Sequence, residues 1–236
     1  MTEVLKTTQL AGGYTDVDII HGIDLILQPN EIVTIAGTNG AGKSTFLKAL
    51  LGLLPRTTGT VHRYGEDISR LGTESRIERG LGYVPQVTNV FRSLTVQENL
   101  QVAARKVKRS QIDEMLSVFP ALKPRLTQTA GTLSGGERQQ LAFARALIRS
   151  PKVIVLDEPT AALAPSLVET IFQVIQRLRS LNVAVLMVEQ RARQALEISD
   201  RGYILDQGKV VLSGDAQKLL NDPEMTALYL GVHNEL

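Results

Sequence analysis

The sequence predicts an α/β fold: a mainly parallel sheet with an N-terminal antiparallel β subdomain and an inserted helical subdomain. Three observations carry this. Beyond Val153, apolar strand-like runs alternate with helical segments, the rhythm of βαβ units. Val153 to Leu156 is apolar at every position, as a strand buried on both faces requires. The chain before Gly37 instead holds strand segments punctuated by tight turns.

Taken in order, Val4 to Leu10, Ile23 to Leu27 and Glu31 to Ala36 read as strands, with Gly12-Gly13 and Pro29-Asn30 as turns. A helix is expected from Gly42 through Leu51, ending before Pro55, then strands at Gly59 to Tyr64 and Leu81 to Val84. Composition is helical over about 95–150. Thr95-Val96-Gln97-Glu98 opens this stretch as a capping box, and Ser110 marks a second helix start. After the Val153 strand come a helix (Ser166 to Leu181), a strand (Val183 to Val188) and a helix (Arg191 to Ile198). Tyr203 to Asp206 and Lys209 to Leu212 form a hairpin about Gln207-Gly208. No internal repeat or low-complexity linker divides the chain, so 1–236 reads as one folding unit.

Composition narrows the function classes. Of 236 residues, 43% are hydrophobic, enough for a substantial core. A net charge of +2 gives no electrostatic case for a nucleic-acid partner, and the run Arg105 to Arg109 reads as a solvated helix end. With no cysteine, neither disulfides nor thiolate metal sites exist, as suits a reducing cytoplasm. His21, His62 and His233 are scattered rather than spaced as ligands. The start at Met1 lacks a signal-peptide pattern, and no apolar run approaches the ~20 residues of a membrane span. A membrane role must therefore come through a partner.

Three motifs carry chemistry. Gly37-Thr38-Asn39-Gly40-Ala41-Gly42-Lys43-Ser44 fits the P-loop pattern after a strand and before a helix. Its glycines let backbone N–H groups wrap phosphates at a helix N-terminus. Lys43 is the candidate for the β- and γ-phosphates, Ser44 for Mg²⁺ and Thr45 for the α-phosphate. The fold expected is thus a P-loop NTPase core binding ATP with Mg²⁺. Asp157-Glu158 then ends a buried strand, where open α/β sheets bind ligands. Asp157 is the candidate partner of Mg²⁺, and Glu158 the candidate to orient and polarise the attacking water. Leu133-Ser134-Gly135-Gly136-Glu137 is a capped helix start whose two glycines bare N–H groups for an anion.

With these three motifs the chain resembles the ABC ATPases along nearly its whole length. The resemblance implies that Gln86 is the Q-loop glutamine, sensing Mg²⁺ and water, and that Tyr14 stacks on adenine. It implies that the Ser134, Gly135 and Gly136 loop binds the γ-phosphate held by a second ATPase subunit, the same or a similar chain. It also implies membrane permease subunits as partners, and a cytoplasmic location on the inner face of the membrane. A groove for the permease is expected along Val87 to Leu94, with Val90 and Phe91 as apolar contacts. Val188-Glu189-Gln190, Asp200-Arg201-Gly202-Tyr203, Gly208 to Leu212 and Tyr229-Leu230-Gly231 are similar to the branched-chain amino-acid uptake ATPases, whose relatives serve other amino acids, urea or amides.

There are departures from the wider superfamily. Gln190 stands where a γ-phosphate-contacting histidine is usual; its amide can donate but cannot become cationic. Ala164 stands where Asp is favoured, and Thr38 where the subgroup commonly has Pro. The first two are found in the branched-chain subgroup. Rival readings are a non-transport ABC switch, or a poorly hydrolysing partner subunit. The first lacks its usual long coiled coil or second P-loop here; Glu158 argues against the second, and Gln190 for it.

Overall fold

Two sheets organise the computed structural model, which describes residues 2–87, 89–104, 106–161 and 163–222. Met1, Arg105, Ala162, His233 and the Tyr229-Leu230-Gly231 segment lie outside them. Strands β1 (Leu5–Gly13), β2 (Ile20–Leu27), β4 (Arg56–Arg63) and β5 (Glu66–Asp67) form an antiparallel sheet in the order β2-β1-β4-β5. The larger sheet uses β3 (Ile32–Ala36), β6 (Leu81–Val84), β7 (Val153–Asp157), β8 (Ala184–Glu189), β9 (Arg201–Asp206) and β10 (Lys209–Asp215). Its order is β10-β9-β3-β8-β7-β6, parallel except for the β9–β10 hairpin. That hairpin turns on Gln207 (φ 44°) and Gly208 (φ 76°), the two positive φ values of a tight two-residue connection.

Every residue of β3, β7 and β8 is buried, and side-chain alternation splits them between two cores. Ile154, Leu156, Val185 and Met187 face the helical side, packing with Phe143, Leu147 and Ile171. Val153, Val155, Leu186 and Val188 face α1 (Lys43–Leu50) and the antiparallel sheet, meeting Phe46 and Leu50. Each such side chain contributes ~1.5–3 kcal/mol by leaving water. The same alternation sends the side chain of Asp157 toward α1.

The helical stretch comprises α3 (Val96–Gln101), α4 (Arg109–Val118), two 3₁₀ turns (Pro120–Arg125, Ala130–Thr132) and α5 (Gly135–Leu147). The expected capping box is formed: Glu98 N donates to Thr95 Oγ1 (3.2 Å) and Thr95 N to Glu98 Oε2 (2.8 Å). The second start lies two residues earlier than Ser110 suggests. Lys108 is the N-cap of α4, because the Gln111 side-chain Oε1 accepts from Lys108 N at 2.9 Å. Helices α6 (Pro165–Arg177) and α7 (Ala192–Glu197) follow as expected, α6 ending in a 3₁₀ turn over Leu178–Leu181. Strand β5 and the short α2 (Thr73–Glu78) and α8 (Ala216–Leu220) are additions.

Candidate functional site

β3 runs into the phosphate loop, and α1 begins where it ends. Gly40 (φ 83°) and Gly42 (φ 97°, the N-cap of α1) take left-handed conformations that other residues rarely adopt. Lys43 is 5% exposed; its Nζ donates to Gly37 O (3.0 Å) and Thr38 O (3.1 Å) and lies 3.7 Å from Glu158 Oε1. Thr38, Asn39 and Gly40 are exposed, whereas Gly37, Ala41 and Thr45 are buried.

β7 delivers the acidic pair to the same place. Ser44 Oγ donates to Asp157 Oδ1 at 2.8 Å, and the Tyr83 hydroxyl reaches Asp157 Oδ2 at 3.4 Å. Burial, then the neighbouring Asp157, hold the Tyr83 phenol far above its ordinary pKa, so it remains a proton donor. Glu158 leaves the strand with φ 45°, its N–H still bonded to Val188 O. A left-handed non-glycine residue costs roughly 1–3 kcal/mol and persists only where surroundings hold it. The turn swings the carboxylate toward Lys43 and Gln86, whose Nε2 donates to Glu158 Oε2 at 2.8 Å.

Beside this pair lies a cleft of about 450 Å³, lined by Gln86, Glu158, Thr160, Glu189, Gln190 and Arg191. Gln190 is exposed at its edge. Glu189 was not singled out from the sequence as a site residue. It is 1% exposed, and its Oε1 accepts from Thr160 N (2.9 Å) and Thr160 Oγ1 (2.8 Å). Burial drives its pKa up, against those hydrogen bonds. An acid closing the apolar Val183 to Val188 run was the available signal, the same pattern that marked Asp157.

Tyr14 stands just past β1, exposed, with its hydroxyl accepting from Lys48 Nζ of α1 at 3.0 Å. It is therefore not a strand tyrosine packed in the sheet. Ser134 is the exposed N-cap of α5, completing a capping box with Glu137. The Ser134 N–H bond holds the Glu137 carboxyl below its usual range. Among the described residues no hydrogen bond or ion pair joins Ser134, Gly135 or Gly136 to the phosphate loop.

One expectation around the Q-loop changes. Val90 is 6% exposed within the helical-side core and cannot serve as a surface contact. Phe91, by contrast, is half-exposed, with the Arg145 guanidinium 4.5 Å above its ring. A second cleft of about 280 Å³ lies alongside, lined by Ile77, Tyr83, Pro85, Asn89, Arg145 and Ala146 among others.

The family model described as "ABC transporter" matches residues 20–161, spanning the phosphate loop, the Ser134 segment and the acidic strand end. This chain belongs to the ABC transporter family. It is, accordingly, an ATP-binding ABC ATPase, with the α/β fold of its P-loop enzymes. It is 43% identical to a probable branched-chain amino acid transport ATP-binding protein, LivF, of Archaeoglobus fulgidus, covering 97% of this chain and 99% of that one. It is 40% identical to the high-affinity branched-chain amino acid transport ATP-binding protein BraG of Pseudomonas aeruginosa, covering 97% and 100%. A lipopolysaccharide export ATP-binding protein, LptB, of Haemophilus influenzae is 36% identical, covering 97% of both chains. The ADP conformation of MJ1267, an ATP-binding cassette of an ABC transporter, superposes with a TM-score of 0.86 at 25% identity, covering 98% and 100%. Among the described residues no helix of this ABC ATPase is long and apolar enough to cross a membrane.

Proposed function

We propose that this ATPase drives import of branched-chain or related amino acids, working as half of an ATP-sandwiching dimer on the cytoplasmic face of membrane permease subunits. The likeness to LivF and BraG, above that to LptB, supports the substrate class. The observation that carries the hydrolytic reading is the meeting of Lys43, the Ser44–Asp157 pair and the Gln86–Glu158 pair at one strand end.

Lys43 and the amides of the Gly37 to Thr45 loop bind the phosphates. Ser44 Oγ and Asp157 Oδ1 are neighbouring hard oxygens of the kind Mg²⁺ takes, the remaining ligands being water and phosphate. When bound, Mg²⁺ supplies neutralisation of the phosphate charge. Glu158 holds the attacking water and takes its proton, and Gln86 holds Glu158 in register. Tyr14 offers an exposed ring to adenine, and Gln190 an amide to the γ-phosphate. Ser134, Gly135 and Gly136 serve the nucleotide of the opposite subunit, as the likeness to the ABC ATPases implies.

Reconstitution with the permease subunits tests this. ATP-dependent uptake of labelled leucine or a related amino acid or amide is expected, and is lost in Glu158→Gln. ATP hydrolysis coupled only to lipid-linked polysaccharide export would overturn the import reading.

A further inference from the structure

Arg76, on α2, is buried to 2% exposure, yet its hydrogen bonds among the described residues all go to main-chain carbonyls. Nη1 donates to Leu50 O (2.5 Å) and Ala49 O (3.2 Å), Nε to Leu71 O (2.8 Å), and Nη2 to Ser69 O (2.7 Å). Ala49 and Leu50 form the last turn of α1. Their carbonyls are the negative end of the helix whose N-terminus is the phosphate loop. Two of the four bonds, both from Nη1, go to that helix end, and the other two tie Arg76 to the Ser69 and Leu71 carbonyls.

The junction is fitted to this contact. Gly52, just beyond α1, has φ 71°, and a Cβ there would sit 3.1 Å from Arg76 Nε. Thr73, one turn earlier on α2, donates from Oγ1 to Gly52 O at 3.2 Å. Thus α2 grips the C-terminal end of α1 at two points on one face. The next residue, Ile77, lines the 280 Å³ cleft with Tyr83 and Arg145. One short helix therefore touches both the cleft and the far end of the phosphate-loop helix.

We propose that Arg76 is a positioning residue for nucleotide: it sets the axis of α1, hence the aim of the loop amides, and passes displacements of α2 in the Ile77 cleft to that loop. The inference rests on reading Gly37 to Thr45 as the nucleotide loop. A helix of eight residues is short and stiff, about 12 Å long, so a shift at its C-terminal end appears at its N-terminus. Preorganised binding groups tolerate only sub-ångström misplacement.

The test measures Mg-ATP affinity calorimetrically on the full chain, well below each variant's Tm. Arg76→Met should weaken binding about fivefold or more, because loss of a charged anchor is on that scale or above. Arg76→Lys, which keeps the charge with fewer donors, should fall between; it also serves if Arg76→Met does not fold. Leu219→Ala, in the separate cluster near β9, should lower Tm but leave affinity unchanged, which a merely structural role for Arg76 would match. Because the chain has no cysteine, Ile77→Cys can be labelled singly with a bulky maleimide. Labelling should weaken Mg-ATP binding in the otherwise parental chain, have a smaller effect when Arg76 is Lys and no further effect when it is Met, a coupling read by the double-mutant cycle. Parental affinity in a folded Arg76 variant, or equal labelling effects in both backgrounds, would overturn the proposal. A parental chain that does not bind Mg-ATP would overturn the nucleotide reading as well.

Discussion

Glu158 accepts a hydrogen bond from Gln86 (2.8 Å) while its other oxygen lies 3.7 Å from Lys43 Nζ. One carboxylate thus faces the cation expected to receive the γ-phosphate and the glutamine that opens the Q-loop. Glu158→Gln keeps the size and the hydrogen-bonding capacity but cannot take a proton from water. Turnover should fall ~10²–10⁴-fold, the usual worth of a general base. Mg-ATP affinity should hold or tighten, because a negative group beside Lys43 is gone. With hydrolysis blocked, size-exclusion in Mg-ATP should show a longer-lived dimer, with itself or with a second ATPase. Undiminished hydrolysis would remove Glu158 from the mechanism.

Lys43→Ala should remove most Mg-ATP binding, read by calorimetry. Its Nζ already caps the loop carbonyls of Gly37 and Thr38, so the loop should also loosen. Unchanged affinity would mean that the loop amides alone hold the phosphates.

Much of this arrangement is legible in the residues, and the exceptions have physical causes. The loop and strand end were readable because glycine spacing and an all-apolar run are backbone requirements, visible without knowing the neighbours. The burial of Val90 is not legible, because an apolar residue in a loop gives no sign of which way it points; here it faces the core while Phe91 turns outward. Arg76 carries no sequence signal because its acceptors are carbonyls, which every sequence contains. Ser110 has the chemistry of an N-cap, but the Gln111 side chain, three residues after the true N-cap Lys108, closes the turn there.

Ala164 is the N-cap of α6 with extended φ and ψ (−61°, 145°) and no side-chain acceptor. Ala164→Asp should supply one to the free N–H groups of the first turn. Such caps contribute ~0.5–2 kcal/mol, so Tm should rise by roughly 1–8 °C. Scanning calorimetry checks it; no rise would mean that the Pro165 start already satisfies the turn.

Contact with a permease should be readable from the exposed residues after Gln86. Single cysteines at Val87 (70% exposed) and Phe91 (50%) should cross-link to the membrane subunit. Val90→Cys should not, because its side chain is buried. Product from Val90 alone would reverse this assignment.

Glu189 yields a prediction about acid and stability. Its folded-state pKa is raised, chiefly by burial, above that of the unfolded chain. Below the ordinary glutamate value, about 4.3, both states are protonated and the residue costs nothing. As pH rises through the folded-state pKa, the native chain must ionise a buried acid, and stability falls. Glu189→Gln retains an oxygen for Thr160 N and Oγ1 but never ionises. The variant should therefore melt higher than the parent at pH 8, and the two should converge as pH falls toward 4.5. The opposite trend would mean that Glu189 is stabilised as the anion, with the Thr160 bonds outweighing burial. Thermal melts of both proteins across that range decide between them. Because Thr160 follows Glu158 by two residues, the same variant reports on Glu158. If Glu189 only anchors Thr160, hydrolysis in Glu189→Gln should stay within a few-fold of the parent, the anchor being preserved.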